Sequence, residues 1–165
     1  MNRRQFIKIS ALAGLAALSA PFVKPSWAGR KGGSNMIEKI NKSEDEWRKL
    51  LSPEQFDVLR REGTERAFSS ELNKQYAKGT YVCAGCELSL FTSETKFDSG
   101  TGWPSFYAPI EGHVETKRDF KIILPRTEYH CARCGGHQGH VFDDGPKPTG
   151  QRWCNNGVAL KFIPV

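Results

Sequence analysis

The order of hydrophobic and polar residues predicts two short helices near the start of the folded part of the chain. Ser43 and Ser52 are each followed, three residues later, by Glu or Gln, which is the capping-box pattern that begins a helix. Pro53 suits the first turn of the second helix, because the amide hydrogen that proline lacks has no helical partner there. We expect this helix to run to Arg61 and to end before Gly63.

The pattern changes after Tyr81, where short apolar or alternating runs are interrupted by Gly, Pro and Asp. Runs of this kind predict β-strands. The candidate strands are 80–83, 88–91, 113–117, 120–124, 128–131, 139–142, 151–155 and 158–163. No helical pattern separates them, which argues against a parallel sheet, so we predict a mainly β domain with antiparallel strands.

Residues 1–28 have the features of an export signal. A basic start is followed by an apolar run from Ile9 to Ala20 and then by the small residues Ser26 and Ala28 on either side of a tryptophan. The apolar run is too short to span a bilayer, so we expect cleavage after Ala28 and no remaining membrane anchor. The adjacent arginines near the start resemble a twin-arginine signal. An ordinary Sec signal or an uncleaved anchor is the alternative.

This assignment changes how the charge of the chain is interpreted. The full sequence has 24 basic and 18 acidic residues, but residues 1–28 hold four of the basic residues and none of the acidic ones. The remainder has a net charge of about +2, which gives no reason to expect a nucleic-acid partner. Gly-rich residues 29–36 indicate a flexible linker. We therefore predict a linker over 29–40 and one domain over 41–165, exported and periplasmic if the cell is Gram-negative.

Two Cys-x-x-Cys pairs, Cys83 with Cys86 and Cys131 with Cys134, offer four sulfur ligands. Two such turns can complete a tetrahedral zinc site, and Gly135 can adopt the left-handed conformation that closes the second turn. Export by the twin-arginine route, which carries folded proteins, favours zinc bound in the cytoplasm. The alternatives are two disulfides, one within each pair, or a single redox-active pair.

The fifth cysteine, Cys154, has no obvious partner. Arg152 is two positions earlier and lies on the same face if this segment is a strand. His137 and His140 follow directly after the second cysteine pair. A cation beside a cysteine favours the reactive thiolate, so this group of residues is a candidate active site. The alternatives are a buried, inert cysteine and a histidine pair in a surface network.

The loop DSGTGWPSF, residues 98–106, contains a second candidate. Pro104 restricts the backbone there, and the glycines on either side of Thr101 allow a tight turn. Trp103 either fills the core or forms an aromatic wall beside a binding site. The pattern of the loop alone leaves both possibilities open.

Taken in order, CAGC, SGTGWPSF and CARCGGHQGHVFDDGPKPTGQRWCNN resemble the methionine-R-sulfoxide reductases. The resemblance covers roughly residues 44–163. It implies a mainly β fold of two antiparallel sheets, one structural zinc, and reduction of methionine-R-sulfoxide, in oxidised proteins or as the free amino acid, to methionine. It also implies that Cys154 is the catalytic nucleophile. The other active-site positions that it implies are Arg152, His137, His140 and Asn156, with Trp103 and Phe142 in contact with the substrate.

The chain departs from this family at Thr101, where many relatives have a second cysteine that forms a disulfide with the catalytic one. The resemblance therefore implies a sulfenic acid on Cys154 that an external thiol must reduce, from a thioredoxin-like or glutaredoxin-like protein or a small thiol. Gln138 also stands where leucine is common. We expect a monomer. Two other interpretations remain: a zinc-ribbon interaction module with an inert Cys154, and a thiol–disulfide oxidoreductase that uses a Cys-x-x-Cys pair.

Overall fold

The computed structural model describes residues 37–120 and 125–165. Helices α1 (Glu44–Leu50) and α2 (Pro53–Arg61) lie where the sequence predicts, and each begins with a complete capping box. Three short 3-10 turns, which were not predicted, cover Glu71–Lys74, Ser93–Thr95 and Gly157–Ala159. Within the described ranges, no helix combines the length and the apolar character needed to cross a membrane.

About half of the described chain after residue 78 forms short strands. They are β1 (Gly79–Cys83), β2 (Ser89–Thr92), β3 (Lys96–Phe97), β4 (Ser105–Phe106), β5 (Val114–Asp119), β6 (Arg126–Cys131), β7 (His137–Phe142), β8 (Arg152–Asn155) and β9 (Leu160–Pro164). One sheet has the order β2-β1-β9 and the other has the order β3-β4-β8-β7-β6-β5. Every pairing is antiparallel, so the expected mainly β fold of two antiparallel sheets is confirmed.

The strands differ from the sequence-based expectation in three places. β3 and β4 have two residues each, too few for an alternating pattern to be visible in the sequence. The predicted strand 158–163 begins instead with a 3-10 turn. The predicted strand 120–124 lies outside the described residues except for Phe120, which is not in a strand. The export signal and residues 29–36 of the linker also lie outside the described ranges.

An aromatic core joins the two sheets. Phe91 of the small sheet stacks on Phe106 of the large sheet with ring centroids 4.1 Å apart, and Tyr81 meets Phe106 edge-on at 4.9 Å. Tyr129 and Trp153 continue this cluster with an edge-on contact at 5.0 Å. Because buried aromatic rings contribute much of the packing energy of a small core, these contacts fix β8, which carries Cys154, and its neighbour β4.

The N-terminal part of the described chain packs on the second cysteine pair. Helix α2 lies against β7 and the turn Gly157–Ala159. The Arg60 side chain donates a hydrogen bond of 2.9 Å to the carbonyl of Cys134. Ile40 donates its backbone N–H to the carbonyl of Arg133 at 2.8 Å, and its side chain, like that of Ile37, packs against the core. The proposed domain boundary at residues 40 and 41 stays a prediction.

Candidate active site and zinc centre

The four paired cysteines converge on one point. Their sulfur atoms all lie within 4.8 Å of one another, with 3.7 Å between Cys83 and Cys134 and 3.5 Å between Cys86 and Cys131. Zinc–sulfur bonds of about 2.3 Å in tetrahedral geometry place the sulfurs about 3.8 Å apart. The donor set and its spacing therefore fit one zinc ion with a complete shell of four thiolates, which is the form of a structural site.

The backbone of both cysteine turns is closed in the same way. In the second turn Gly135 has φ of 67° and donates its N–H to the carbonyl of Cys131 at 2.9 Å, so the expected left-handed glycine is confirmed. In the first turn Glu87 has φ of 61° and donates to the carbonyl of Cys83 at 2.8 Å. Each turn thus directs its two thiols to one side of the chain.

Gln138 connects the zinc centre to the strand that carries Cys154. Its side chain is fully buried and donates a hydrogen bond to Sγ of Cys83 at 3.4 Å, which a leucine at this position could not do. The carbonyl of Gln138 accepts two hydrogen bonds from Asn156, from the backbone N–H at 2.8 Å and from the side-chain amide at 2.9 Å. A zinc-bound turn therefore holds β7 and the end of β8 in register.

Cys154 lies in the middle of the large sheet, at the wall of an open cavity. Its direct cross-strand partners are His140 on β7 and Ser105 on β4. The cavity, of about 120 Å³, is lined by Thr64, Trp103, Arg126, Gly139, His140, Phe142, Cys154, Asn155 and Asn156. Five of the seven residues expected at the active site therefore contribute directly to one cavity.

Opposing interactions act on the ionisation of Cys154. Burial is the largest and raises the pKa of its thiol, and the nearby carboxylate of Asp144 acts in the same direction. The charge of Arg152 and the hydrogen bonds from Thr101 and Arg152 lower this pKa without overcoming burial. In the resting protein Cys154 is therefore mainly a thiol at neutral pH. Arg152 and Thr101 already lie where they can stabilise the thiolate once it forms.

Arg152 is held rigidly beside Cys154. Its guanidinium makes two hydrogen bonds of 2.8 Å to the carboxylate of Asp144 and lies over the ring of Phe142 at 4.3 Å. A paired and stacked guanidinium keeps its position without losing its charge. The expected association of Arg152, Phe142 and Cys154 is thus present in the fold, although Arg152 does not itself line the cavity.

His140 is oriented by an acidic partner. Its Nε2–H donates to the Asp119 carboxylate at 2.8 Å, and Arg126 donates to the same carboxylate at 2.7 Å. Burial is the main cause of a lowered pKa for His140; the bond to Asp119 opposes it and the charge of Arg126 adds to it. Nδ1 is therefore the ring nitrogen left to act toward the cavity, and the neutral ring is favoured before substrate binds.

His137 lies behind His140, with ring centroids 5.5 Å apart. Its Nδ1–H donates to the buried carboxylate of Glu128 at 2.7 Å, and His130 donates to that carboxylate at 3.1 Å. Burial acts to raise the pKa of Glu128, but the two histidines outweigh it and lower that pKa to about 2. Nε2 of His137 is buried and has no hydrogen-bond partner among residues 37–120 and 125–165.

Trp103 forms part of the cavity wall and is not a core residue, which decides between the two possibilities that its loop left open. Its indole N–H donates to the carbonyl of Glu65 at 3.2 Å. The side-chain oxygen of Asn156 accepts the backbone N–H of Glu65 at 3.1 Å. Because its amide nitrogen binds Gln138, both polar groups of Asn156 are used to hold the backbone around the cavity.

Sequence reasoning missed several residues that support the site. The buried carboxylate of Glu65 accepts the backbone N–H groups of Gly157 and Val158 at 2.6 and 2.8 Å, directly after the active-site strand. Asp119 and Glu128 orient the two histidines. Isolated acidic residues carry no local pattern. The available signal was only that Glu128 falls in a predicted strand, where burial requires a charged partner, whereas Asp119 lies between two predicted strands.

The fold and the cavity place the thiol of Cys154 beside a histidine and an arginine on a β scaffold with a four-cysteine cluster, an arrangement that suits a cysteine-dependent enzyme. Comparisons with known proteins make the class specific. Residues 51–164 match the SelR domain, and the chain belongs to this family. It contains one structural zinc, held by the four paired cysteines.

Proteins similar to this chain are named peptide methionine sulfoxide reductase MsrB. The protein from Leptospira interrogans is 54% identical over 128 residues, which cover 77% of this chain and 98% of the relative. The Bradyrhizobium diazoefficiens protein is 56% identical over 128 residues, 77% of this chain and 92% of the relative. The protein from Pseudomonas putida strain W619 is 55% identical over 130 residues, with 78% and 97% covered.

Proposed function

We propose that the protein reduces the R epimer of methionine sulfoxide to methionine, with Cys154 as the nucleophile, and thereby repairs oxidised proteins. The observation that supports this proposal most directly is that Cys154 and His140 are cross-strand partners in a cavity that also has Trp103 in its wall. Membership of the SelR family and the names of the similar proteins support the same reaction.

His140 and Cys154 divide the chemistry of the first step. A sulfoxide sulfur is a poor electrophile until its oxygen is protonated or strongly hydrogen-bonded, and His140, as the imidazolium, supplies that proton. The Cys154 thiolate supplies the electron pair, with Arg152 favouring its charged form. The oxygen passes to Cys154, so the methionine sulfur is reduced by two electrons and the cysteine is oxidised to a sulfenic acid.

The remaining residues bind and orient the substrate. Trp103 and Phe142 offer apolar surfaces in the cavity wall for the methyl group and side chain of the substrate. His137 offers a second polar group behind His140. Asn156 keeps the cavity backbone in place through its bonds to Glu65 and Gln138. The zinc cross-links the two cysteine turns and thereby stiffens the strands on which these side chains are mounted.

Regeneration of Cys154 requires a thiol from outside the chain. The sequence has five cysteines, and four of them form the zinc centre. Thr101 occupies the place of the second redox cysteine of many relatives. An external thiol attacks the sulfenic acid, releases water and forms a mixed disulfide, and a second thiol then releases Cys154. The reductant is a thioredoxin-like or glutaredoxin-like protein or a small thiol.

A single-turnover experiment tests this cycle. Reduced, zinc-loaded protein is treated with one equivalent of methionine-R-sulfoxide and then with dimedone, and its peptides are mapped by mass spectrometry. We expect a dimedone adduct on Cys154, no internal disulfide and unchanged zinc content. The S epimer serves as the matched control and should give no adduct. A disulfide between Cys154 and a zinc cysteine, with release of zinc, would show that regeneration is internal.

We also propose that the chain is exported by the twin-arginine route, is cleaved after Ala28 and acts as a monomer, in the periplasm if the cell is Gram-negative. The support is the basic, apolar and small-residue order of residues 1–28. Replacing Arg3 and Arg4 by lysine, which keeps the charge, should leave uncleaved precursor in the cytoplasm. Cell fractionation and immunoblotting measure where the variant accumulates. Normal export of the variant would assign the signal to the Sec route instead.

A further inference from the structure

A chain of hydroxyl groups leads from the reactive cysteine to the backbone of the tryptophan loop. The Thr101 and Ser99 hydroxyls are 2.8 Å apart, and the Ser99 and Ser105 hydroxyls are also 2.8 Å apart. Ser105 Oγ lies 3.1 Å from the carbonyl oxygen of Trp103. At the other end, the Thr101 side chain is near enough to Cys154 to lower the pKa of its thiol.

The position of this chain in the fold is fixed by the large sheet. Ser105 is fully buried and lies directly opposite Cys154 in the pairing of β4 with β8. Each hydroxyl can donate one hydrogen bond and accept others, so the whole chain can run in either direction.

We propose that Thr101, Ser99 and Ser105 form a hydroxyl relay that reverses its hydrogen bonds when Cys154 loses its proton. With Cys154 as a thiol, S–H donates to Thr101, Thr101 to Ser99, Ser99 to Ser105, and Ser105 to the carbonyl of Trp103. All donors in this arrangement have acceptors. The inference deepens the proposed function, because it rests on Cys154 being the nucleophile.

With Cys154 as a thiolate, the relay runs the other way. Ser105 donates to Ser99, Ser99 to Thr101, and Thr101 to the negatively charged sulfur. Only hydroxyl rotations are needed, and no proton travels along the relay. The final bond is charge-assisted and therefore stronger than the neutral bonds it replaces, and hydrogen bonds in a chain polarise one another. Thr101 thus acts as a positioning residue that favours the thiolate.

The relay acts alongside the charged and titratable groups that face Cys154. These are Arg152 and Asp144 on one side, His140 across the strand pair, Arg126 in the cavity wall, and Tyr129 in the core. The Arg152 guanidinium is shared with Asp144, which limits what it contributes to the sulfur. A neutral donor that needs no counterion complements it, and burial strengthens that donor's effect.

The test is the pKa of Cys154 in the resting protein without substrate. It is measured from the pH dependence of iodoacetamide alkylation, with peptide mapping to separate Cys154 from the zinc cysteines. Thr101→Val keeps the shape of the side chain and removes its hydroxyl, so it should raise the pKa of Cys154 by about one unit. At a given pH below this pKa, that rise corresponds to about tenfold less thiolate. Ser99→Ala should raise it by a smaller amount, because Thr101 keeps its own hydroxyl but loses its donor. Thr101→Ser should leave it unchanged.

Thr116→Val makes the same chemical change on the exposed strand β5 and is the matched control. Zinc content and thermal unfolding of each variant establish that the fold is retained. An unchanged pKa in Thr101→Val, or an equal rise in Thr101→Ser, would overturn a role for the hydroxyl. If the pKa of Cys154 is unchanged in Ser99→Ala but raised in Thr101→Val, only a single hydrogen bond from Thr101 to Cys154 matters, and the relay is excluded. Because no substrate is present, these outcomes are independent of whether the reductase reaction itself is observed.

Discussion

At the residue scale, Cys154 is a buried thiol whose ionisation is opposed by burial and favoured by Arg152 and Thr101. His140 is held neutral by burial, with its free nitrogen available to the cavity. A thiol and a neutral imidazole can become a thiolate and an imidazolium by transfer of one proton between them, which is the combination that sulfoxide reduction needs. The site can therefore stay unreactive until substrate completes it.

Replacement of Thr101 by cysteine tests how close this position is to the reactive sulfur. Because the Thr101 side chain is near enough to Cys154 to lower the pKa of its thiol, a thiol at the same position should form a disulfide with Cys154 after one turnover. We expect Thr101→Cys to accumulate this disulfide and to recycle faster with thioredoxin than the natural protein does. Mass spectrometry of the oxidised variant detects the bond. Persistence of a free sulfenic acid in the variant would contradict the loop geometry.

Glu128 should make the protein sensitive to acid. Its folded pKa of about 2 lies below the ordinary value of 4.5, so its contribution to stability is complete above pH 4.5 and is lost as the pH falls toward 2. The shift corresponds to at most about 3 kcal/mol. Urea unfolding of Glu128→Gln should show lower stability than the wild type at pH 6 and a shallower decline between pH 4.5 and 2. Parallel curves for the two proteins would exclude this role.

At the element scale, the site is assembled from segments that the zinc centre and a buried carboxylate hold together. The strand β7 starts three residues after the zinc ligand Cys134 and carries both His137 and His140. The adjacent β8 carries Arg152 and Cys154. Glu65 ties the turn after β8 to the segment that follows α2. Each of these connections links residues far apart in the chain.

Loss of the Glu65 carboxylate should loosen the cavity wall. Glu65→Ala leaves the N–H groups of Gly157 and Val158 without their acceptor, which costs about 1–3 kcal/mol for a buried donor. Since the Glu65 backbone also holds Trp103 and Asn156, we expect a higher KM for methionine sulfoxide as well. Denaturant unfolding and steady-state kinetics measure the two effects. The exposed Glu38 provides the control substitution Glu38→Ala, which should change neither quantity.

Removal of one zinc ligand should remove both metal and structure. We expect Cys131→Ser, which leaves three thiolates, to lose bound zinc and much of its cooperative unfolding transition. Cys154→Ser is the matched control, because it makes the same change outside the zinc centre and should keep close to one zinc per chain. Metal analysis and circular dichroism distinguish the two variants. A stable, metal-free Cys131→Ser protein would mean that zinc is dispensable for the fold.

At the scale of the whole molecule, the parts that sequence analysis predicted are those with local signals. The capping boxes of α1 and α2 and the zinc-ligand spacing act within a few residues, and longer strands show their alternation directly. The two-residue strands β3 and β4 have no such signal. Glu65 and Asp119 act across contacts that only the folded chain creates, so single-sequence patterns could not identify them.

Distant parts of the fold position the strands around Cys154. The aromatic core fixes β4 and β8 against the small sheet, and zinc fixes the start of β7. Thiol and imidazole are thereby held at one cavity, with the Arg152 guanidinium beside the thiol, before substrate arrives, which lowers the entropic cost of the reaction.

The most direct test of the proposed activity is to measure turnover of the two epimers of methionine sulfoxide by purified, zinc-loaded protein with dithiothreitol as reductant. We predict reduction of the R epimer, no reduction of the S epimer, and complete loss of activity in Cys154→Ser with zinc content unchanged. Equal turnover of both epimers, activity that survives in Cys154→Ser, or no turnover by the intact zinc protein would contradict it.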